Sequence, residues 1–179
     1  ADDLMICDEK GGACIAGVFG GLNSGVTEQT TTVFLESAYF NPVSVRKTAR
    51  RHGLNTDASF RYERGCDPNN TLFILQFASI LIKEVAGGTV SSEVFDNYPV
   101  AVEPFKVDLS FSKINSLIGK EIAPSEVLTI LKGLEIDVLK QEGDLLSLSV
   151  PSYRVDVQRD VDVIEDILRI YGYDNVEAG

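Results

Sequence analysis

The 179 residues, 44% hydrophobic and 24% charged, suffice for one large domain or two small ones with real cores. A formal charge of −11 argues against a sequence-independent nucleic-acid binder, which needs a dominating basic surface, so any contact with nucleic acid has to be local. No run of about 18 apolar residues spans a membrane and no basic n-region marks a secretory signal; three cysteines without CxxC spacing, Cys7, Cys14 and Cys66, read as reduced, buried thiols of a cytoplasmic protein.

The chain opens straight into the strand-like Leu4-Met-Ile-Cys7, as expected of a segment cut from a longer protein. Residues 4–37 read as short strands broken by Gly11-Gly12, Gly20-Gly21 and Gly25, the strongest candidates being Ala13 to Phe19 and Thr32 to Leu35. Asn41-Pro42 combines a capping side chain with proline at the first helical position, and Gly53 stands where a left-handed C-cap belongs, which predicts a helix over 42–52. Asp67-Pro68 repeats the signal before Leu72 to Val85, a segment apolar almost all round that closes at Gly87-Gly88; it is expected to be the buried core helix of the first domain.

Residues 99–104, with Pro99 and Pro104 at either end, suit a linker between a first domain over 1–98 and a second over 105–179. In the second, Ser110 caps a helix ending at Gly119, and Pro124-Ser125-Glu126 opens another that turns Val127, Ile130, Leu131 and Leu134 inward. Two β segments, Ile136 to Leu139 and Leu145 to Val150, flank Glu142-Gly143-Asp144, a turn of three to five residues. Near the end, Asp162, Glu165, Asp166 and Arg169 form one helical stripe, with Val161, Ile164, Leu168 and Tyr171 opposite. Asp156 precedes that stripe, and carboxylates without His or Cys make a hard-oxygen set suited to Mg²⁺; acids in a first turn that favour the helix dipole, with a Glu165–Arg169 pair, explain the pattern equally. The fold class is therefore α+β, a mixed α/β first part followed by a small helix-helix-hairpin-helix, winged-helix-like domain.

Four stretches carry a resemblance over most of the chain: Ala16-Gly-Val-Phe-Gly-Gly with Ser24-Gly-Val; Leu35-Glu-Ser-Ala-Tyr-Phe-Asn-Pro; Ala49-Arg-Arg-His-Gly-Leu-Asn-Thr-Asp-Ala-Ser-Phe-Arg-Tyr-Glu-Arg-Gly-Cys-Asp-Pro; and Pro151-Ser-Tyr-Arg-Val-Asp to Arg169-Ile-Tyr-Gly-Tyr. In wording and spacing they resemble the beta chain of bacterial phenylalanyl-tRNA synthetases. The resemblance implies the C-terminal half of a tRNA-editing domain and the module that follows it. It also implies a cytoplasmic alpha2beta2 enzyme charging tRNA(Phe) with ATP as substrate, the aminoacylation site lying on the alpha subunit, with no role for DNA or membrane.

The chemistry so implied answers one confusion. Tyrosine is phenylalanine plus a hydroxyl, and an apolar synthetic pocket rejects the extra hydroxyl only about 100-fold, so a second, hydrolytic site is needed. The resemblance places Glu36 at the position that recognises the tyrosine hydroxyl, with Gly20, Thr56 and Ala58 around the same pocket. Read without it, Glu36 is a solvent-facing residue of a strand and the glycines are turns. The resemblance further assigns Asp156, Asp162, Glu165 and Asp166 to magnesium shared with the alpha subunit, Asp166 standing where glutamate is common. The cluster Arg46, Lys47, Arg50, Arg51 and His52 complements the dipole of its helix, with contact to the tRNA backbone as the alternative. His52, the only histidine, has no Ser, Cys or carboxylate placed beside it in sequence and receives no catalytic role; no catalytic residue is assigned on this chain. Two competing readings are a winged-helix nucleic-acid binder, disfavoured because Ala123 to Leu134 carries only Lys132, and a free-standing hydrolase, which would need its whole pocket on this short chain.

Overall fold

A computed structural model describes residues 2–176. The chain clusters into two compact units, Ala1–Val100 and Ala101–Gly179, each α+β.

The first unit begins with an antiparallel pair, β1 (Met5–Asp8) and β2 (Gly11–Ile15). The expected strand from Ala13 to Phe19 stops at Ile15. Gly17 takes φ 67°, a left-handed value open to glycine, and the chain folds back so that Ile15 and Phe19 exchange both backbone hydrogen bonds, at 3.0 and 3.1 Å. The loop tucks Ala16 and Val18 inside. The strand expected over Thr32 to Leu35 is also absent: among the described residues nothing pairs with this stretch, and Phe34 is 97% exposed.

Helix α1 (Pro42–His52) follows its caps as predicted, Asn41 Oδ1 accepting from the Ser44 amide and Gly53 adopting φ 65°. Val45 and Ala49 pack on Val18 with Ile15, Phe40, Leu54 and Tyr62 around them, which makes the small core of this unit. A short helix α2 (Asp57–Tyr62) comes next, then a 3₁₀ turn over Pro68–Asn70 and the long helix α3 (Thr71–Ala86). The expectation that α3 is a buried core piece fails in this chain, because none of its residues is buried: Leu75, Ser79 and Ile82 share a cavity with Val33, Phe34 and Leu35, and most of its apolar surface stays exposed. A helix apolar on every face gains stability only when a larger core surrounds it. The cysteines are likewise less hidden than expected: all three are free, Cys7 is exposed, and Cys14 and Cys66 are half-buried.

The second unit is built on a three-stranded antiparallel sheet in the order β3-β5-β4: β3 (Phe105–Ser110), β4 (Asp137–Glu142) and β5 (Leu145–Val150). β3 adds a strand in front of the predicted order. Its alternation is complete, Val107 and Leu109 inward and Lys106 and Asp108 outward. The hairpin turn is tighter than expected. Glu142 pairs directly with Leu145, leaving only Gly143 and Asp144 in the loop, with Gly143 at φ 57°. Helices α4 (Phe111–Ile118), α5 (Pro124–Gly133) and α6 (Asp160–Tyr171) cover the sheet. Ser110 caps α4 through the Lys113 amide, and Asp144 in the hairpin turn accepts from the Ser112 amide and hydroxyl at 3.1 and 2.5 Å. Ile114, Val127, Leu131, Leu146, Val150, Val163 and Ile167 are completely buried at the centre of this core.

Candidate functional site

Of the four residues expected around one pocket, Thr56 is the best anchored. It caps α2: its hydroxyl oxygen accepts from the Ser59 amide at 3.0 Å, while Ser59 Oγ receives the Thr56 amide at 3.0 Å. The same hydroxyl donates to the carbonyl of Val18 at 2.6 Å, which fixes α2 against the Gly17 loop. Ala58 lies in the first turn of α2 and is exposed. Gly20 follows the same loop and lines an open cleft of about 670 Å³ together with Met5, Cys14, Phe19, Gly21 and Ser24. Glu36, Thr56 and Ala58 do not line that cleft.

Gly20 and Gly21, adjacent at the cleft, differ in what they require. A side chain on Gly20 would meet nothing within 4 Å, whereas a Cβ on Gly21 would lie 1.8 Å from the carbonyl oxygen of Ala13. Gly21 is thus the position where strand β2 excludes a side chain. Gly17 is constrained twice, by its φ and by Phe40, Val45 and Tyr62, which would stand 3.0, 3.1 and 3.3 Å from an added Cβ. Gly17, Cys14 and Tyr62 were not among the expected site residues; the signal for Gly17 was a glycine set between two apolar residues that both become buried.

Glu36 is exposed at its surface, yet desolvation by the surrounding protein pushes its carboxyl above the ordinary value. Its charge reaches two groups that are themselves raised chiefly by burial: the Cys14 thiol at the cleft and the Tyr62 hydroxyl beside Phe40. Glu36 is therefore in electrostatic reach of both the cleft and the core under α1. What this arrangement can do chemically is present an accessible carboxyl, partly desolvated on its protein side, to a hydrogen-bond donor.

His52 has a carboxylate neighbour that the sequence did not place. Its Nε2 lies 2.8 Å from Asp3 Oδ2, and Asp3 Oδ1 accepts from Thr48 at 2.9 Å and Arg51 at 2.5 Å. These contacts, led by His52, hold the Asp3 carboxyl below its usual range. The one hydroxyl among these contacts, that of Thr48, donates to Asp3 and not to His52.

In the second unit the four acids divide. Asp162 is committed to the start of its own helix: the Arg159 amide reaches its Oδ2 at 2.9 Å, and the Arg159 guanidinium donates to both oxygens at 2.7 and 3.1 Å. The Arg159 side-chain bond, ahead of the backbone ones, draws its pKa down to about 2. Asp166 is buried, paired with Arg154 from the loop after β5 and with Arg169 at 3.4 Å. The apolar face of α6 is accordingly turned by about one residue from the expected one: Val163, Ile164 and Ile167 are buried beside Asp166, and Val161 is exposed. Asp156 and Glu165 remain exposed. Among the described residues no three His, Cys, Asp or Glu side chains converge as a metal site.

Residues 1–87 match the B3/4 domain and residues 107–173 match the tRNA synthetase B5 domain. The chain is 61% identical over 175 residues to the phenylalanine–tRNA ligase beta subunit of Bacteroides thetaiotaomicron, covering 98% of this chain and 21% of that protein. It is 57% identical over 178 residues to that of Porphyromonas gingivalis, covering 99% and 22%, and 41% identical over 179 residues to that of Chlorobaculum tepidum, covering 97% and 22%. It thus spans about a fifth of the length of these relatives. With a B3/4 region followed by a B5 domain and near-complete alignment of its residues to these subunits, the chain belongs to the phenylalanine–tRNA ligase beta subunit family.

Proposed function

We propose that this chain is the proofreading and scaffold portion of a beta subunit that, with an alpha subunit in an alpha2beta2 assembly, charges tRNA(Phe) using ATP in the cytoplasm. The domain over 1–98, within the first unit, hydrolyses mischarged Tyr-tRNA(Phe). We assign its pocket to Gly20, Glu36, Thr56 and Ala58, of which Gly20 alone lines the cleft of about 670 Å³. The observation that supports this reading is the bond from Thr56 to the Val18 carbonyl, which ties the helix carrying Ala58 to the loop leading to Gly20. Glu36 supplies selectivity. A tyrosine phenol hydrogen-bonds to its carboxyl, whereas phenylalanine, once bound substrate excludes water, leaves that group unpaired at about 1 to 3 kcal/mol, a discrimination of roughly 5- to 150-fold. Position and exclusion are the chain's contribution to hydrolysis, the reacting group being water.

Helix α3, apolar all round and without a buried residue, fits a place inside the larger core of a whole beta subunit. In the domain over 105–179, beyond a 99–104 linker, a carboxylate set is chemically suited to magnesium. Asp156 and Glu165, both exposed, would offer oxygens directly, and the alpha subunit or water would complete the shell. Asp162 and Asp166, engaged by arginines, would contribute through position.

The test is hydrolysis of Tyr-tRNA(Phe) by the full-length subunit with its alpha partner, wild type against Glu36→Ala. Rapid hydrolysis that becomes slow or unselective in the variant is expected. Equal rates would remove Glu36 from the pocket, and no hydrolysis by wild type would leave the unit a scaffold.

A further inference from the structure

Helix α1 carries Arg46, Lys47, Arg50, Arg51 and His52 and not one carboxylate. In a chain of charge −11 this is a local reversal: residues 46–64 hold six of the 16 arginines and lysines against two acids, Asp57 and Glu63. The dipole of the helix accounts for the last turn, where Arg50, Arg51 and His52 stand near the negative end. It does not account for Arg46 and Lys47, which sit mid-helix, since the effect fades beyond the final turn.

The structure divides the cluster by its partners. Arg51 and His52 are engaged by Asp3, and further along Arg64 is engaged by Glu63 and stacked 3.5 Å over the Phe60 ring. Among the described residues, Arg46, Lys47 and Arg50 have no ion-pair partner and all three are exposed. At 100° per residue they fall within about a quarter of the helix circumference, opposite Val45, Thr48 and Ala49, which are buried. Arg46 and Arg50 are one turn apart, about 6 Å along the axis, where like charges repel and cost a few tenths of a kcal/mol. A face that tolerates this repulsion, on a helix held firmly by the Val18 core, is a rigid row of unneutralised cations.

We infer that the outer face of α1, Arg46, Lys47 and Arg50, is a docking strip for the phosphate backbone of a nucleic-acid strand. The choice of a phosphate chain over an acidic protein surface rests on the tRNA-linked reading above and on residue type: two of the three cations are arginines, whose planar donors match phosphate oxygens. The strip reads no sequence. It adds sequence-independent affinity and positions the strand on this unit.

The experiment is equilibrium binding of uncharged tRNA to the full-length alpha–beta assembly over a series of salt concentrations, so that the result does not depend on hydrolysis. Wild type is compared with Arg46→Gln/Lys47→Gln/Arg50→Gln and with Arg64→Gln as a control cation that already has partners. Glutamine keeps helix propensity at these exposed positions, so the fold is retained. Loss of three phosphate contacts makes the slope of log affinity against log salt shallower by about 2 to 3, at roughly 0.7 to 0.9 per contact, while Arg64→Gln leaves it unchanged. An unchanged slope in the triple variant overturns the strip whether or not Tyr-tRNA is hydrolysed. An unchanged slope together with weakened subunit association overturns it in favour of an acidic protein surface.

Discussion

Breaking the Arg154–Asp166 pair tests how the second unit is held together. Asp166 is 6% exposed and the Arg154 side chain 19%, so the pair closes the loop between β5 and α6 from inside. Substituting Arg154→Met keeps most of the volume and strands a buried carboxylate. Removing one partner of a fully buried pair costs about 3–5 kcal/mol. Two features lower that here: Arg154 is partly solvated, and Arg169 remains 3.4 Å from Asp166, although its own side chain is 60% exposed. The expected loss is therefore about 2–3 kcal/mol, or roughly 30- to 150-fold faster amide exchange through opening of this unit. The assay is hydrogen exchange at Val163 and Ile167, which are completely buried in α6 and report on this unit alone. The double variant Arg154→Met/Asp166→Leu should recover to within about 1 kcal/mol of wild type, because replacing both charges by apolar groups removes the stranded carboxylate. A single-variant loss below about 1 kcal/mol, or a double variant no better than the single, would refute the reasoning.

Two further outcomes follow from the same contacts. Asp162 has its folded pKa depressed from 3.8 to about 2, so its contribution is fully present above the unfolded value and is lost as pH falls through that window; Asp162→Asn should flatten the acid limb of the stability curve between about pH 4 and 2, read by far-UV circular dichroism. Thr56→Val removes the cap of α2 and the bond to Val18 together, at about 1 kcal/mol each, so a loss of about 2 kcal/mol is expected in urea unfolding of the first unit, and a loss near zero would mean that the cap is dispensable.

The signals that were legible in the sequence are those written within four residues of one another. Asn41-Pro42 with Gly53, Ser110 with Gly119, and Pro124 each set a helix end where a side chain or a φ value meets a nearby amide, and no distant partner is needed. The alternation of Phe105 to Ser110 was equally local and marks β3 in retrospect, but a six-residue alternation competes with the helix cap that Ser110 also supplies, and both readings turn out to be true of the same serine. For the candidate site, the motifs pointed to Gly20, Glu36, Thr56 and Ala58 but were silent on geometry; Thr56 was named without its bond to Val18, which spans 38 residues of sequence.

Everything that depended on what stands opposite was decided by tertiary structure. Glycine 17, inside an apparent strand, became a reversal because its left-handed φ lets Phe40, Val45 and Tyr62 close over it. Helix α3 has a core-like sequence, but burial requires partners that these residues do not provide. The acids of α6 share one stripe in sequence, yet Arg154, brought in by the loop after β5, draws Asp166 inside while Glu165 stays in solvent. Capping chemistry is short-range and survives in any context, so the sequence by itself determined where helices α1 and α4 begin and end and where α5 begins. Burial, pairing and charge neutralisation are properties of two surfaces at once, and only the folded chain decides which surfaces meet.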